Sequence, residues 1–141
     1  MSTLYSTTVT AVGGRNGSAR SEDGLIDLRL SLPGSLGGKG GATNPEQLFA
    51  AGYAACFGNA ILHASRSGGP RLRDGDVAVA ATVGLSPTPS GGFGLSVALA
   101  VTLAGIDQSA AEALVAAAHR ICPYSNAVRG NIDVALSVTT R

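Results

Sequence analysis

The sequence predicts an α+β fold in which antiparallel sheets surround one long central helix. Three observations carry this expectation. Polar and apolar residues alternate between turn signals in the first third of the chain. From Gln47 to Ser65 no residue is charged and most are apolar. Two later runs alternate strictly: Val77, Val79, Ala81, Val83, Leu85, then Leu95, Val97, Leu99, Val101, Leu103. The length of 141 residues suits a single domain spanning 1–141.

The elements follow in order. Leu4 to Val12 reads as a strand, and Gly13 to Gly17 as a turn with several positions free to take positive φ. A short strand over Ser18 to Glu22 and the hairpin signal Asp23-Gly24 come next. A third strand over Leu25 to Leu32 completes an antiparallel meander. The Gly-rich stretch Pro33 to Thr43 is a loop. It holds Lys39, but no phosphate-cradling pattern. Asn44-Pro45-Glu46-Gln47 is a helix start, with Asn44 as cap and Gln47 completing a variant capping box. That helix should run to about Ser67, where Gly68-Gly69-Pro70 stops it. It is apolar nearly all round, so both faces should be covered, one of them by a partner subunit. The two long alternating runs form a hairpin around Pro87 to Gly92. Ser109 and Glu112 form a capping box that opens a helix to about Ile121. Pro123 starts another, with Cys122 as its cap. Ile132 to Val138 is the last strand.

Composition excludes several classes of function. Net charge is +1 and aromatic residues make up 4%, so neither a basic field nor a stacking platform for nucleic acid is present. Charged residues are only 13%, about half the usual ~25%, which leaves too little charge for a comfortable monomer surface and predicts an oligomer. The stretch from Gln47 to Ser65 is interrupted by Gln47, Gly52, Asn59, His63 and Ser65, which favours a core helix over a membrane span. The start of the chain lacks a basic segment followed by an apolar one, so the expected location is the cytoplasm. A disulfide there is normally catalytic or redox-sensing.

The chemistry rests on few residues. Cys56 lies mid-way along the apolar helix, where a free cysteine is commonly a small core hydrophobe. Cys122 precedes Pro123 at a helix start, a setting that favours a thiolate. Together they suit a peroxidatic and resolving pair. A zinc site is the competitor, drawing on Cys56, His63, His119 and Cys122. Cys56 and His63 lie two helical turns apart, about 10 Å, too far to share one ion on a continuous helix, so no metal is expected. Arg15 sits in a turn of small residues, and Glu46 opens a helix. Each has an ordinary role there, yet together they can form a rigid bidentate pair able to hold a guanidinium against a thiolate.

Three segments make the chain recognisable: Gly14-Arg15-Asn16-Gly17, NPEQLFAAGYAACF from Asn44 to Phe57, and HRICPYSNAVRGNIDV from His119 to Val134. Over nearly its whole length the chain resembles the organic hydroperoxide resistance proteins, the Ohr branch of the OsmC/Ohr family. The resemblance implies an intertwined homodimer with two active sites at the subunit interface. It implies a thiol peroxidase with no metal or bound cofactor, acting on organic hydroperoxides, fatty-acid hydroperoxides included, in the response to oxidative stress. Dihydrolipoamide or a lipoylated protein would serve as electron donor. Cys56 matches the peroxidatic cysteine and Cys122 the resolving one, while Arg15 and Glu46 match the activating pair. Gly58-Asn59 is a more polar continuation than the family leads one to expect.

Phe49, Tyr53 and Phe57 are expected to line an apolar substrate pocket. Glu46 and Cys56 lie ten positions apart on one helix, about 15 Å along its axis and ~80° off in direction. Either the helix breaks near Gly52 or Glu46 serves the partner's site, and the second is favoured by the apolar character of both helix faces. Two other classes compete: a thiol redox sensor, and a cysteine hydrolase with His119 or His63 as base. The sensor would oxidise once and stop, and the hydrolase would not need Cys122.

Overall fold

Alternation near the start of the chain produces a three-stranded antiparallel sheet in the computed structural model, which describes residues 2–68 and 70–141. Its strands are β1 (Val9–Val12), β2 (Ser18–Ser21) and β3 (Asp27–Arg29), in the order β1-β2-β3. The meander is therefore as expected, with shorter strands. β1 starts at Val9 because β2 offers only four partners, from Val9 opposite Ser21 to Val12 opposite Ser18. β3 is short because the turn before it is longer than a two-residue hairpin. Asp23 Oδ1 accepts from the Ser21 hydroxyl (2.6 Å) and the Leu25 N–H (3.0 Å), and Ser21 Oγ accepts from the Ile26 N–H (2.9 Å). Beyond β3, Leu30 bridges Thr43 and the Leu32 N–H bonds Asn16 Oδ1 (3.0 Å), so the remaining residues of the expected strand are satisfied by loops.

The chain divides into two compact units, Met1–Leu48 and Phe49–Arg141. The helix α1 (Pro45–Ser65) runs across the division. Its start is capped as expected, the Gln47 N–H bonding Asn44 Oδ1 at 2.9 Å. The Gln47 side chain, however, takes the Thr43 hydroxyl (2.8 Å) instead of completing a capping box. α1 ends two residues before the expected Ser67. Of the expected stop signal, Gly69 lies outside the described residues.

The second unit continues with β4 (Val77–Pro87), β5 (Phe93–Leu103), α2 (Gln108–Ile121), α3 (Pro123–Val128) and β6 (Ala135–Thr140). β4 and β5 form the long hairpin in full register, from Val77 opposite Leu103 to Pro87 opposite Phe93. β6 lies parallel to β5, giving the order β4-β5-β6. It starts at Ala135 and not at Ile132, because the Ile132 N–H bonds back to the Val128 carbonyl (2.9 Å). α2 is capped by Asp107, whose carboxylate accepts the Ala110 N–H at 2.8 Å; Ser109 lies inside the helix, and the expected capping box does not form.

The core follows from period-2 and period-3.6 patterning together. Val97, Leu99, Val101 and Leu103 of β5 are buried against Tyr53, Phe57 and Ile61 of α1 and Ala111, Val115 and Ala118 of α2. The small side chains of Ala78, Ala80, Ala98 and Ala100 point the other way and are exposed. On α1, the stripe Ala51, Ala55, Asn59, His63 is exposed within this chain. Among the described residues no helix is long and apolar enough to cross a membrane.

Candidate active site

Cys56 follows Tyr53 by three positions and precedes Phe57, at the margin of the stripe that α1 buries. It is half-buried, while Cys122 is fully enclosed; both are free thiols. Cys122 closes α2, its N–H bonding the Ala118 carbonyl (2.9 Å), and caps α3, its carbonyl accepting the Asn126 N–H (2.9 Å). Pro123 fits the first position of α3 because it has no N–H to satisfy. This junction brings the two sulfurs to 3.8 Å across 66 residues of sequence. A disulfide at ~2.05 Å requires only a local approach.

Burial pushes the Cys56 thiol above its ordinary range, and the Cys122 sulfur adds to that push; the Tyr124 backbone N–H opposes it by hydrogen bonding. No cation of the second unit contributes.

A cavity of about 290 Å³ reaches Cys56 and is lined also by Asn59, Ala60, His63, Ile121 and Pro123. The sequence expectation placed Phe49, Tyr53 and Phe57 at such a pocket. Tyr53 and Phe57 are fully enclosed, Phe49 packs against the same core, and none of the three lines this cavity.

Tyr124 was not singled out by the sequence. Its ring lies against Phe49 and Tyr53, with centroids 6.4 and 5.8 Å apart, and covers Gly52. A Cβ at Gly52 would stand 2.9 Å from the Tyr124 hydroxyl oxygen, so glycine is what allows the ring to close down beside Cys56. Sequence alone offers His119 as a candidate zinc ligand or hydrolase base and gives Ser125 no role. Ser125 is fully buried and joins the Tyr53 hydroxyl (2.7 Å) to His119 Nδ1 (2.9 Å). A buried serine paired with a histidine six positions earlier is the only trace this leaves in the sequence.

In the first unit, Arg15 lies in a short 3-10 turn (Gly14–Asn16), and Glu46 lies in the first turn of α1. Arg15 donates two parallel hydrogen bonds to the Glu46 carboxylate, at 2.7 and 2.6 Å. The guanidinium holds the Glu46 carboxyl below the usual carboxylate range against the opposing effect of burial. The same bond raises the already high pKa of Arg15. α1 is continuous through Gly52, so the helix break that would serve an intrachain arrangement of Glu46 and Cys56 does not occur. Among the described residues no three His, Cys, Asp or Glu side chains are grouped to hold a metal ion.

Residues 38–137 match the family described as OsmC-like protein. The organic hydroperoxide resistance protein of Xanthomonas axonopodis pv. citri is 49% identical over 136 residues, covering 96% of this chain and 94% of its own. Protein OhrB of Bacillus subtilis, of the same description, is 43% identical; its crystal structure superposes with a TM-score of 0.87 and covers 97% of this chain and 100% of its own. The crystal structure of an organic hydroperoxide resistance protein from Legionella pneumophila is 55% identical, with a TM-score of 0.93 and coverage of 98% and 99%.

Proposed function

Because the chain belongs to the OsmC-like family, on its organic hydroperoxide resistance branch, we propose that it is a thiol peroxidase that reduces organic hydroperoxides, fatty-acid hydroperoxides included, to alcohols. The observation that carries the reading is the 3.8 Å approach of two free thiols, of which only Cys56 reaches a cavity. Ala60, Ile121 and Pro123 give that cavity an apolar wall suited to an alkyl chain.

The cycle balances with the residues present. The Cys56 thiolate attacks the distal peroxide oxygen; the O–O bond breaks, and the alkoxide takes a proton and leaves as alcohol. Cys56 is then a sulfenic acid. The Cys122 thiol attacks that sulfur, water leaves, and a Cys56–Cys122 disulfide forms. A dithiol reductant, dihydrolipoamide or a lipoylated protein, returns both thiols by exchange and carries away the two electrons. Arg15 is assigned as the cation that stabilises the thiolate, and Glu46 as the residue that orients it. The bidentate geometry of the pair supports this, as does the upward push that burial gives Cys56. No metal or bound cofactor enters the cycle. The assembly assigned is a homodimer in the cytoplasm, in keeping with the exposed small-residue stripe on α1.

The test is a steady-state assay with an alkyl hydroperoxide, comparing a lipoyl dithiol, thioredoxin and glutathione as donors. Sustained turnover with the lipoyl dithiol is expected. Oxidation that stops after one equivalent of peroxide with every donor would instead identify a redox sensor.

A further inference from the structure

Behind the two thiols lies a buried polar chain that the peroxidase cycle does not use. Tyr53 of α1, Ser125 of α3 and His119 of α2 are linked through one serine oxygen, 2.7 Å to the phenol and 2.9 Å to Nδ1. Tyr53 and Ser125 have no exposed surface, and among the described residues no buried side-chain nitrogen or oxygen lacks a partner. Arg129 fastens the same corner from outside, donating to the His119 carbonyl (2.5 Å) and to Asn126 Oδ1.

Proton counting fixes the direction of this chain. Two links need two protons. The Tyr53 hydroxyl donates to Ser125, and the Ser125 hydroxyl donates to Nδ1 of a neutral imidazole that carries its proton on Nε2. An imidazolium brings a third proton to the same two links. One buried hydroxyl is then left without an acceptor, at a cost of about 1–3 kcal/mol. The chain is complete only with His119 neutral.

Ser125 is three residues after Cys122 and carries the side-chain bonds that tie α3 to both α1 and α2; the Tyr124 backbone N–H adds a bond to the Cys56 sulfur. We propose that His119 is a positioning residue for Cys122: through Ser125 and Tyr53, its neutral imidazole fixes the start of α3 so that the resolving sulfur stands beside Cys56. This role rests on the disulfide step of the proposed cycle. The surroundings of the ring favour the neutral form it needs. Burial lowers the imidazole pKa, and the nearby Arg129 cation lowers it further. The other groups facing the cluster are Phe57, Tyr53 and Cys56 from α1 and Cys122 from the α2–α3 junction; the inward residues of β5 are Val97, Leu99, Val101 and Leu103, none of which titrates.

The test reads the thiol pair without peroxide. Full-length reduced protein is brought to equilibrium in glutathione redox buffers. Glutathione disulfide accepts two electrons from Cys56 and Cys122, forming the protein disulfide and two glutathione thiols. Alkylation and mass spectrometry then give the effective concentration of one thiol toward the other. Ser125→Ala and His119→Leu should each lower it about tenfold at pH 7, the equivalent of ~1.4 kcal/mol. His119→Asn, which keeps an acceptor near the position of Nδ1, should restore it. A free imidazole gains its proton between pH 7 and about pH 4.5, and the His119→Asn variant carries any pH dependence that the thiols themselves contribute. Relative to His119→Asn, the wild-type value should therefore fall over that range as His119 gains a proton. Wild-type behaviour in Ser125→Ala, or a His119→Asn variant that keeps the wild-type fall, would overturn the proposal. If His119→Leu does not fold, these two outcomes still decide it. A protein that shows the expected shifts yet is inert toward hydroperoxides would defeat the proposed function and leave this role standing.

Discussion

The Cys122 sulfur, with no exposed surface, lies 3.8 Å from the sulfur of half-buried Cys56. The inequality matters more than the distance. Cys56 lines the cavity of about 290 Å³ and Cys122 has no exposed surface, so in the proposed cycle Cys56 is the thiol open to peroxide.

Cys122→Ser should therefore keep the first oxidation of Cys56 near its wild-type rate and abolish the disulfide. Under repeated peroxide addition Cys56 should advance to sulfinic acid within a few equivalents, as mass spectrometry of the intact chain would show. Equal resistance to overoxidation in variant and wild type would contradict the resolving role.

The Arg15–Glu46 pair predicts a pH-dependent contribution to stability. The folded-state pKa of Glu46 is lowered by its bond to Arg15, so the contribution is present above the ordinary carboxylate pKa. It disappears as pH falls through the lowered folded value. Glu46→Gln should be less stable than wild type to urea at pH 7, with the difference shrinking as pH falls below the ordinary carboxylate range. The same variant should lose roughly tenfold or more in peroxide rate, because Arg15 keeps its charge but not its orientation. Arg15→Lys should not replace the wild-type pair, since an ammonium cannot make both parallel bonds.

With α1 unbroken at Gly52, Glu46 is expected to serve the site of the partner in the proposed homodimer. Heterodimers of Glu46→Ala and Cys56→Ser subunits test this. Across subunits, one site combines an intact Cys56 with an intact Glu46, and about half the wild-type activity returns. Within one chain, neither site is complete and mixing restores nothing.

Gly52→Ala should cost about 1–3 kcal/mol in chemical unfolding, because its Cβ meets the Tyr124 ring at 2.9–3.3 Å. Tyr124→Ala in the same chain should recover part of that loss. Additive losses would mean that the two residues do not press on one another.

Much of this was readable in advance because it depends on local rules. The hairpin of β4 and β5, the Asn44 cap and the place of Cys122 before Pro123 each follow from alternation or from the chemistry of helix ends. The parallel placement of β6 was not readable, since alternation gives a strand its faces but not its neighbour. Nor was the burial of Tyr53 and Phe57. An apolar helix with no polar stripe does not disclose which side meets the sheet. The Tyr53–Ser125 bond joins residues 72 positions apart and exists only once α1 and α3 have packed.

The parallel pairing of β6 with β5 has a consequence for motion. β5 ends at Leu103, and β6 returns to lie beside that same residue, with Thr140 opposite Leu103. The helices that carry Cys122 thus form an excursion whose two ends are tied into one ladder. That connection predicts that they open as a unit of their own while the sheet persists. Hydrogen exchange checks this: amide hydrogens of α3 should exchange through a shallow, local opening, and those of β5 only when the whole domain opens. In the proposed cycle, the cysteine that closes the disulfide would then sit on a part of the molecule that yields without the rest.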